Sequence, residues 1–349
     1  MSSNSSDEVW LVIDSLTFGG IETHVLELAK GLKQFQVPVT VLFLCTYPQR
    51  QLLVEKLEAN QIPTKHLDGD GNSYFKTLLH LVRMHRPALL HAHGYKASIT
   101  TKLIRLLTGV RQISTYHAGE TPSGKVWLYD FIDRFTSFVS NHSIAVSDKI
   151  AEKLVSRTVC FNNFIDTRET QHSKGTQIAF VGRLSHEKGP DRFIELANAN
   201  SLLKFDIYGS GVLEDELKQL ATDNVRFHGH QNNMNAIWPN VGVLVICSRY
   251  EGLPMTALEA MARSIPVFSL KVGNMPSLIN HQTNGYLVNS MDELGLVLTN
   301  FLSQDEKQTA QLKQQAVETI EQSFSQSAVI PQILELYFHS TQSDCQIEK

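Results

Sequence analysis

The segment from Val241 to Pro266 constrains the fold more than any other part of the chain, because it contains a strand, a turn and a helix in succession. Val241 to Ile246 is an uninterrupted apolar run with the length of a buried parallel strand. Gly252 and Pro254 then break the chain, and proline suits the first turn of the helix that follows. Parallel strands need crossover connections, which are usually helices. The segment therefore predicts an α/β fold.

The same alternation of strand and helix patterns continues along the rest of the chain. The predicted strands of the first half are Val9–Ile13, Val37–Leu44, Ala88–His91, Gln112–Tyr116 and Ser143–Val146. Those of the second half are Ile178–Val181, Lys204–Tyr208, Val225–His228, Val241–Ile246 and Val267–Ser269. A chain of 349 residues is long for one hydrophobic core, so the pattern predicts two domains built on parallel sheets.

Two acids accompany the helix that follows Pro254. Glu251 lies in the preceding loop, and Glu259 is the one acid within an otherwise apolar helix. Eight helical residues rise about 12 Å, so the two carboxylates can serve opposite ends of an elongated ligand. The helix N-terminus between them offers free N–H groups and a positive dipole to an anion. The two carboxylates and the helix N-terminus together match the sugar, diphosphate and ribose of a nucleoside diphosphate sugar. The alternative is that Glu259 only forms an ion pair with Arg263 and has a structural role.

Two cations precede a second helix, which is predicted to begin near Pro190. Arg183 and Lys188 flank the turn that leads into it. Cations at a helix start oppose the dipole unless an anion lies between them. The pattern therefore indicates a phosphate site, with two solvated surface cations as the alternative.

Composition excludes several classes of protein. The four cysteines include no C-x-x-C pair, which argues against a zinc or disulfide framework and for a reducing compartment. No apolar run reaches membrane-spanning length and the polar start is unlike a signal peptide, so a cytoplasmic location is expected. Residues 1–160 carry 17 Lys and Arg against 14 Asp and Glu, and residues 161–349 carry 14 against 21, giving the net −4. This imbalance leaves contact with an anionic membrane open and is too weak to indicate a nucleic acid partner.

The acid spacing resembles the E-x7-E signature of the GT-B glycosyltransferases, especially the large retaining family 4. Gly19-Gly20 before the first helix and Gly182-Arg183 followed by Lys188-Gly189 also resemble motifs of that family. The resemblance extends over almost the whole chain. It implies an α/β GT-B fold, with two Rossmann-like domains facing across a cleft, and sugar transfer that requires no metal and no other cofactor.

The resemblance also implies roles for individual residues. Arg183 and Lys188 would neutralise the donor diphosphate, Glu251 would bind sugar hydroxyls and Glu259 the ribose. His117, at the end of a predicted strand, would orient the transferred sugar, and the amide near Gly20 would face the donor phosphate or the acceptor. The rest of the donor-binding segment is Gly252, Leu253, Pro254, Met255 and Thr256, in which the free N–H groups belong to Met255 and Thr256 because proline has none. In the family the leaving phosphate takes the acceptor proton, so no protein general base is predicted.

Domain boundaries follow from the same resemblance. The segment from Thr158 to Arg168 resembles the family hinge, which predicts an acceptor-side domain of residues 1–160 with the C-terminal helix 328–349, and a donor domain of residues 161–327. Where the family has G-G-x-x-E-x-I this chain has Gly273, Asn274 and Ser277, and Ser264 stands where glycine usually precedes the next strand.

Other polar groups are not predicted to bind a metal. Asp68-Gly69-Asp70 is interpreted as a turn, because glycine and asparagine surround it. His91 and His93 share one face of an extended strand, but the sequence identifies no third ligand. The segment from Tyr95 to Arg111 is predicted to be a basic amphipathic helix, in which a solvated face lies beside an apolar one. The cations are Lys96, Lys102, Arg105 and Arg111, and the apolar residues are Ile99, Leu103 and Leu107. Docking to a membrane surface is the alternative.

The sequence thus predicts a glycosyltransferase that moves a sugar from a nucleotide-sugar donor to a saccharide or glycolipid acceptor. A nucleotide-sugar epimerase of similar fold and a non-catalytic partner subunit are the two rival hypotheses. The intact set of Glu251, Glu259, Arg183 and Lys188 counts against the partner subunit.

Overall fold

The computed structural model describes residues 7–14, 19–45, 52–67, 73–117, 125–146, 148–156, 158–168, 170–231 and 233–338. The chain divides into two compact units, residues 1–162 with 326–349, and residues 163–325. The predicted turn at Asp68-Gly69-Asp70 lies outside the described residues.

The first unit is built on a parallel sheet of seven strands. They are β1 (Val9–Ile13), β2 (Val39–Phe43), β3 (Thr64–His66), β4 (Leu89–His93), β5 (Arg111–Tyr116), β6 (His142–Ala145) and β7 (Thr158–Cys160). The spatial order is β3-β2-β1-β4-β5-β6-β7, so the direction of winding reverses between β1 and β4. Ligands of such sheets bind at the carboxyl ends of the strands beside this reversal.

Helices connect the strands of the first unit, and the last helix of the chain also belongs to it. The helices are α1 (Gly20–Gln34), α2 (Leu52–Ala59), α3 (Tyr74–His85), α4 (Tyr95–Thr108), α5 (Lys125–Phe135), α6 (Asp148–Ala151) and α13 (Gln326–Phe338). Gln326 Nε2 donates to the Glu27 carbonyl oxygen of α1 over 2.9 Å. The fully buried Tyr337 places its hydroxyl 2.5 Å from His91 Nδ1. These contacts fix α13 on α1 and beneath the end of β4.

The prediction for α4 was wrong in its orientation. Lys102 is 2% exposed and its Nζ lies 2.6 Å from Asp133 Oδ1 of α5. Leu103 and Leu107, from the apolar residues of the predicted helix, are 48% and 55% exposed. The helix ends at Thr108 instead of Arg111, because Gly109 takes a left-handed conformation with φ of 75°. The buried face of α4 is therefore the polar one, and much of its apolar surface is exposed.

The second unit contains a parallel sheet of six strands. They are β8 (Gln177–Val181), β9 (Phe205–Tyr208), β10 (Val225–Phe227), β11 (Val241–Ile246), β12 (Val267–Leu270) and β13 (Tyr286–Val288), in the order β10-β9-β8-β11-β12-β13. The helices are α7 (Pro190–Ala199), α8 (Glu214–Leu220), α9 (Met255–Ala262), α10 (Met275–Leu278), α11 (Met291–Leu302) and α12 (Glu306–Ser323). Winding reverses between β8 and β11, which places the loops after these two strands at the expected ligand edge.

These observations confirm the predicted α/β architecture of two parallel sheets with interleaved helices. The six apolar residues of α9 are all buried, since the helix packs inside the second unit. Within the described ranges, no helix combines the length and the apolar character needed to cross a bilayer.

Candidate functional site

Lys188 and Glu251 meet at the carboxyl edge of the second sheet. Lys188 Nζ lies 2.6 Å from Glu251 Oε1, and the two side chains are 30% and 7% exposed. The lysine comes from the loop after β8 and the glutamate from the loop after β11, which are separated by 63 residues in sequence. Because β8 and β11 are neighbours in the sheet, their loops bring the two predicted site residues into direct contact.

Gly189 makes this approach possible. Its φ is 64°, in the left-handed region that favours glycine, and a Cβ there would lie 2.5 Å from the Cys247 carbonyl oxygen. The backbone of the loop after β8 can therefore touch the end of β11, and Pro190 begins α7 immediately afterwards. The combination of glycine and proline explains why Lys188 is presented at this position and not on the surface of α7.

The hydrogen bonds of Glu251 leave half of its carboxylate available. Oε1 accepts from Lys188 Nζ and, over 2.7 Å, from the Ser248 hydroxyl. Oε2 makes no hydrogen bond to any residue that the structure describes. The ammonium group of Lys188 has three N–H bonds, of which one is directed to Glu251. The pair thus retains both an acceptor and donors for a ligand.

Gly273 supports the loop that carries Glu251. With φ of 54°, it packs so closely that a Cβ would lie 2.1 Å from the Glu251 carbonyl oxygen. The neighbouring Asn274 N–H donates to the Gly252 carbonyl oxygen over 2.8 Å. This segment differs from the family pattern, but it keeps a glycine at position 273, where the loop of Glu251 packs closely against the backbone.

The N-terminus of α9 lies directly after Glu251. Pro254 is the N-cap residue in an extended conformation, and the carbonyl oxygen of Leu253 accepts from Asn163 Nδ2 over 2.7 Å. The amides of Met255 and Thr256 have no acceptor among the described residues, as expected in the first turn of a helix. These N–H groups and the helix dipole favour an anion beside Lys188.

Glu259 is held by a contact that the sequence did not suggest. Trp238 Nε1 donates to Glu259 Oε2 over 3.1 Å, and the indole is itself buried. Arg263 donates to the backbone carbonyl oxygen of Glu259 over 2.9 Å, and its guanidinium lies 5.9 Å from the centre of the Trp238 ring. Trp238 therefore restricts the carboxylate of Glu259, while Arg263 contacts its backbone and lies beside the indole. Ser264, just after α9, has φ of 63°, which explains why glycine is usual at this position.

Arg183 is exposed, and no described residue accepts a hydrogen bond from its guanidinium. It lies close enough to Glu187 to help lower the pKa of that carboxyl, after the larger effect of the Ser185 hydrogen bond. The structure thus joins Lys188 with Glu251, but it does not show a contact of Arg183 with either. Gly209 and Gly211 pack against the backbone of Gly182 and Leu184, so this glycine turn holds the loop of Arg183 in place.

Histidines occupy the corresponding sheet edge of the first unit. His91 and His93 lie at the end of β4, His117 follows β5, and His24 projects from α1. Burial, with a smaller contribution from His24, lowers the pKa of His91 to about 3. Burial and the neighbouring imidazoles also lower the pKa values of His93 and His117. The predicted site residue His117 therefore belongs to a group of neutral imidazoles.

Gly20 begins α1 near these histidines in the fold. Gly19 N–H donates to Glu22 Oε2 over 2.7 Å at the start of α1. A Cβ at Gly20 would meet no described atom within 4 Å, and its φ is not positive. The described structure therefore gives no packing reason for glycine at position 20, unlike positions 189 and 273.

Ser248 and Trp238 are the members of the site whose contacts sequence reasoning missed. Ser248 begins the segment that contains Glu251 and could have been identified by its spacing of three residues from the acid. Trp238 lies 21 residues before Glu259 in sequence and had no local signal.

Comparison with known proteins gives consistent matches over both units. The Glycosyltransferase Family 4 model matches residues 18–168, and the Glycosyl transferases group 1 model matches residues 162–319. An O-antigen biosynthesis glycosyltransferase of Escherichia coli, WbnH, is 25% identical over 311 residues, which cover 83% of this chain and 88% of that protein. A GalNAc-alpha-(1->4)-GalNAc-alpha-(1->3)-diNAcBac-PP-undecaprenol alpha-1,4-N-acetyl-D-galactosaminyltransferase of Campylobacter jejuni is 28% identical over 225 residues, which cover 60% of this chain and 56% of that protein.

The fold is shared with solved structures. Anabaena Alr3699/HepE, solved with UDP and glucose, matches with a TM-score of 0.80 at 18% identity, covering 94% of this chain and 98% of that one. A mutant of S. aureus TarM, solved with Fondaparinux, alpha-GlcNAc-glycerol and UDP, matches with a TM-score of 0.79 at 11% identity, covering 95% of this chain and 99% of that one.

Proposed function

This chain belongs to the GT-B glycosyltransferases of the group 1, family 4 type, and from that premise we propose that it transfers a sugar from a nucleoside diphosphate sugar to a saccharide or lipid-linked acceptor with retention of anomeric configuration. The observation that carries the proposal is the contact of Lys188 with Glu251 beside the N-terminus of α9. A cation, free amides and a carboxylate oxygen there match a diphosphate joined to a hydroxyl-rich sugar.

We assign to Lys188 the role of stabilising the leaving diphosphate. When the bond from the anomeric carbon to the donor phosphate oxygen breaks, negative charge develops on the diphosphate. The Lys188 ammonium and the amides of Met255 and Thr256 would stabilise that charge. Electrostatic stabilisation of this kind is usually the largest single contribution to an enzyme's rate enhancement. Arg183 would contribute as a second cation from the same loop.

The acceptor oxygen forms the new bond to the anomeric carbon on the face that the phosphate leaves. Its proton passes to the leaving phosphate oxygen, so the step balances without a protein general base. The positive charge that this chemistry needs is available from Lys188, Arg183 and α9, which supports catalysis without a metal or another cofactor.

Glu251 and Glu259 would bind the two ends of the donor. Oε2 of Glu251 is open to a sugar hydroxyl, while Oε1 remains bonded to Lys188 and Ser248. Glu259, oriented by Trp238, would accept hydrogen bonds from ribose hydroxyls. Gly252, Leu253 and Pro254 would complete the donor-binding segment through their backbone.

The first unit would contribute His117 and Gly20. A neutral imidazole can both donate and accept a hydrogen bond, which suits a sugar hydroxyl. The open space at Gly20 would allow the backbone to approach the donor phosphate or the acceptor. Both roles are inferred from the resemblance to the family, and the local geometry is compatible with them.

The acceptor we propose is an intermediate in the biosynthesis of O-antigen, polysaccharide or a related glycoconjugate. The Escherichia coli relative is named for O-antigen biosynthesis, and the Campylobacter jejuni relative is named for an undecaprenol-linked acceptor. A lipid-linked acceptor would require the enzyme to work beside a membrane, at the inner face if the protein is cytoplasmic.

An exposed apolar surface on α4 and α5 supports such membrane contact. We call it the aromatic surface, and it comprises Leu103, Leu106, Leu107, Trp127, Leu128, Tyr129, Phe131 and Phe135, together with Phe138 of the short turn after α5, all of them exposed. The rings of Trp127, Phe131 and Phe135 stack in a row, with centroids 5.7 and 6.0 Å apart. Large apolar patches of this kind mark interaction sites.

Charge around the aromatic surface favours an anionic membrane. Within the described part of residues 95–146 the acids are Asp130 and Asp133, and both are buried in ion pairs with Arg134 and Lys102. Lys96 and Arg105 remain at least partly exposed on α4. Trp and Tyr are suited to the membrane–water interface, and nearby cations strengthen binding to anionic lipids.

Vesicle co-sedimentation tests the membrane assignment. The full chain is expected to sediment with phosphatidylglycerol vesicles and much less with phosphatidylcholine vesicles, and the double change Phe131→Ser with Phe135→Ser should release it. Leu202→Ser, at an exposed position of the second unit, is the matched control. Equal binding of the double variant, or self-association of the chain through this surface, would refute the assignment.

Thermal-shift measurements with UDP, GDP and ADP, followed by donor-hydrolysis assays, test the main proposal. At least one nucleotide should stabilise the protein, and the matching nucleotide sugar should be hydrolysed or transferred. Failure of every nucleotide would favour a non-catalytic partner subunit. Isomerisation of the donor sugar without an acceptor would favour a nucleotide-sugar epimerase.

A further inference from the structure

Three histidines of the first unit form a cluster at the carboxyl edge of its sheet. His24, His93 and His117 each offer one ring nitrogen, and these three atoms lie within 4.8 Å of one another. We call them the histidine triad. His91, the fourth histidine nearby, already has both ring nitrogens in contact with side chains, namely Tyr337 Oη at 2.5 Å and Thr115 Oγ1 at 2.6 Å. The triad is therefore distinct from the structural hydrogen bonds beneath it.

The triad is held by three different elements of secondary structure. His24 comes from α1, His93 is the last residue of β4, and His117 directly follows β5. His93 Nδ1 lies 3.1 Å from His117 Nε2, and the ring centroids of His24 and His117 are 4.8 Å apart. Because helix and strands fix the backbone, the approach of the three rings is a property of the fold and not of one mobile loop.

His93 has an unexplained polar atom. The residue is completely buried, and its Nε2 has no hydrogen-bond partner among the described residues. Leaving a buried nitrogen unpaired is costly unless another group satisfies it. The other ring nitrogen, Nδ1, lies 3.1 Å from His117 Nε2, a contact in which one nitrogen donates and the other accepts.

We propose that the histidine triad is a binding site for a transition-metal ion, with Zn²⁺ as the preferred occupant. Zn²⁺ binds neutral imidazole at about 2.0–2.1 Å, and sites with three histidines leave a fourth position open. Three nitrogens on one tetrahedral ion lie roughly 3.3 Å apart, so nitrogens that lie within 4.8 Å of one another must close by at most about 1.5 Å. Mg²⁺ and Ca²⁺ prefer oxygen ligands, which the triad does not offer.

A bound ion would occupy a ring nitrogen of His117. If His117 orients the transferred sugar, as the proposed function states, metal binding removes that contact. The ion is therefore expected to inhibit sugar transfer and to have no part in it. This second consequence rests on the proposed function, whereas binding itself does not.

Zinc titration of the untagged full chain tests the site. Competition with a chromophoric zinc chelator should show one equivalent of Zn²⁺ bound, and Mg²⁺ should not displace it. His24→Gln and His117→Gln should each weaken binding by at least about tenfold. His85→Gln, which removes an exposed histidine of α3 in the same unit, should leave zinc binding unchanged.

Co²⁺ gives a second readout, because its visible absorption reports a tetrahedral site with nitrogen ligands. The absorption should appear in the unmodified chain and in His85→Gln, and be lost in His117→Gln. Failure to bind one equivalent, or equal binding by all three variants, would overturn the site. Circular dichroism of each variant verifies that it has folded.

Inhibition is measured separately with the donor that thermal shift identifies. Zn²⁺ should inhibit transfer, and a chelator should restore it. Stoichiometric binding without inhibition would overturn the link to His117 while the site remains. If no donor is turned over under any condition, the proposed function fails, and the titration still decides the metal site.

Discussion

The two units present opposite kinds of polar chemistry at the carboxyl edges of similar parallel sheets. In the second unit a lysine and a glutamate are in direct contact beside a helix N-terminus. In the first unit the corresponding edge carries imidazoles whose pKa values are lowered by burial. Charge is thus concentrated where a diphosphate is proposed to bind, and uncharged donors and acceptors lie where a sugar or acceptor hydroxyl is expected.

The comparison extends to how each unit uses a lysine. Lys102 of the first unit is buried against Asp133 and contacts the Tyr116 hydroxyl, so its ammonium group has a structural role in the core. Lys188 of the second unit is partly exposed and keeps donors for a ligand. Similar ion pairs can therefore be structural or functional, and burial distinguishes them.

Lys102→Ala is expected to lower the free energy of unfolding by about 3–5 kcal/mol, because it leaves the buried Asp133 carboxylate without its cation. Chemical denaturation measures the change. Lys96→Ala on the same helix, where the side chain is 45% exposed, is the control and should alter stability little. Equal effects of the two variants would show that α4 does not bury its polar face.

Lys188→Ala is expected to reduce kcat/KM by about 10²–10³-fold, since it removes charge stabilisation of the leaving diphosphate. Its effect on unfolding should be smaller than that of Lys102→Ala, because the Lys188 side chain is partly exposed. Lys218→Ala, which removes an exposed lysine of α8, provides the same change of charge away from the site. A Lys188 variant that loses stability but retains turnover would reverse the assigned use of the two lysines.

Glu251→Ala is expected to lower turnover by about 10²-fold while changing nucleotide affinity by less than about threefold, because its proposed contact is with the sugar. Steady-state kinetics and calorimetric titration with the nucleotide separate these quantities. Glu214→Ala on α8 is the matched control. Equal losses of turnover and nucleotide affinity would contradict the sugar contact.

Gly273→Ala and Gly20→Ala are expected to differ in kind. The Cβ at position 273 would meet the Glu251 backbone at positive φ, which should cost about 1–3 kcal/mol of stability. The Cβ at position 20 has open space, so stability should change by less than about 0.5 kcal/mol while KM for donor or acceptor rises. Unchanged kinetics for Gly20→Ala would remove Gly20 from the site.

The sequence predicted the sheets well because their strands are mostly buried apolar runs. Val9–Ile13 and Val241–Ile246 were predicted with the bounds that the structure has. β3, β7 and β13 were missed; each has only three residues and gives little pattern, although β10, which is equally short, was predicted within Val225–His228. The orientation of α4 was missed because its polar side chains find partners on β5 and α5, and no property of the helix itself reveals them.

In the candidate site, too, local features were predicted and contacts between distant segments were not. Glu251, Glu259, Arg183 and Lys188 were identified from local spacing, but the contact of Lys188 with Glu251 depends on the adjacency of β8 and β11. The histidine triad could not be predicted, because His24 lies far in sequence from His93 and His117. The role of each site residue stays a prediction until a ligand is bound.

Nucleotide titration of the unmodified chain and Lys188→Ala tests the central claim most directly. With the base that gives the largest thermal shift, the unmodified chain should bind the diphosphate at least about tenfold more tightly than the monophosphate, and Lys188→Ala should abolish that preference. Retention of the preference in the variant, or binding of neither nucleotide by the unmodified chain, would contradict the account.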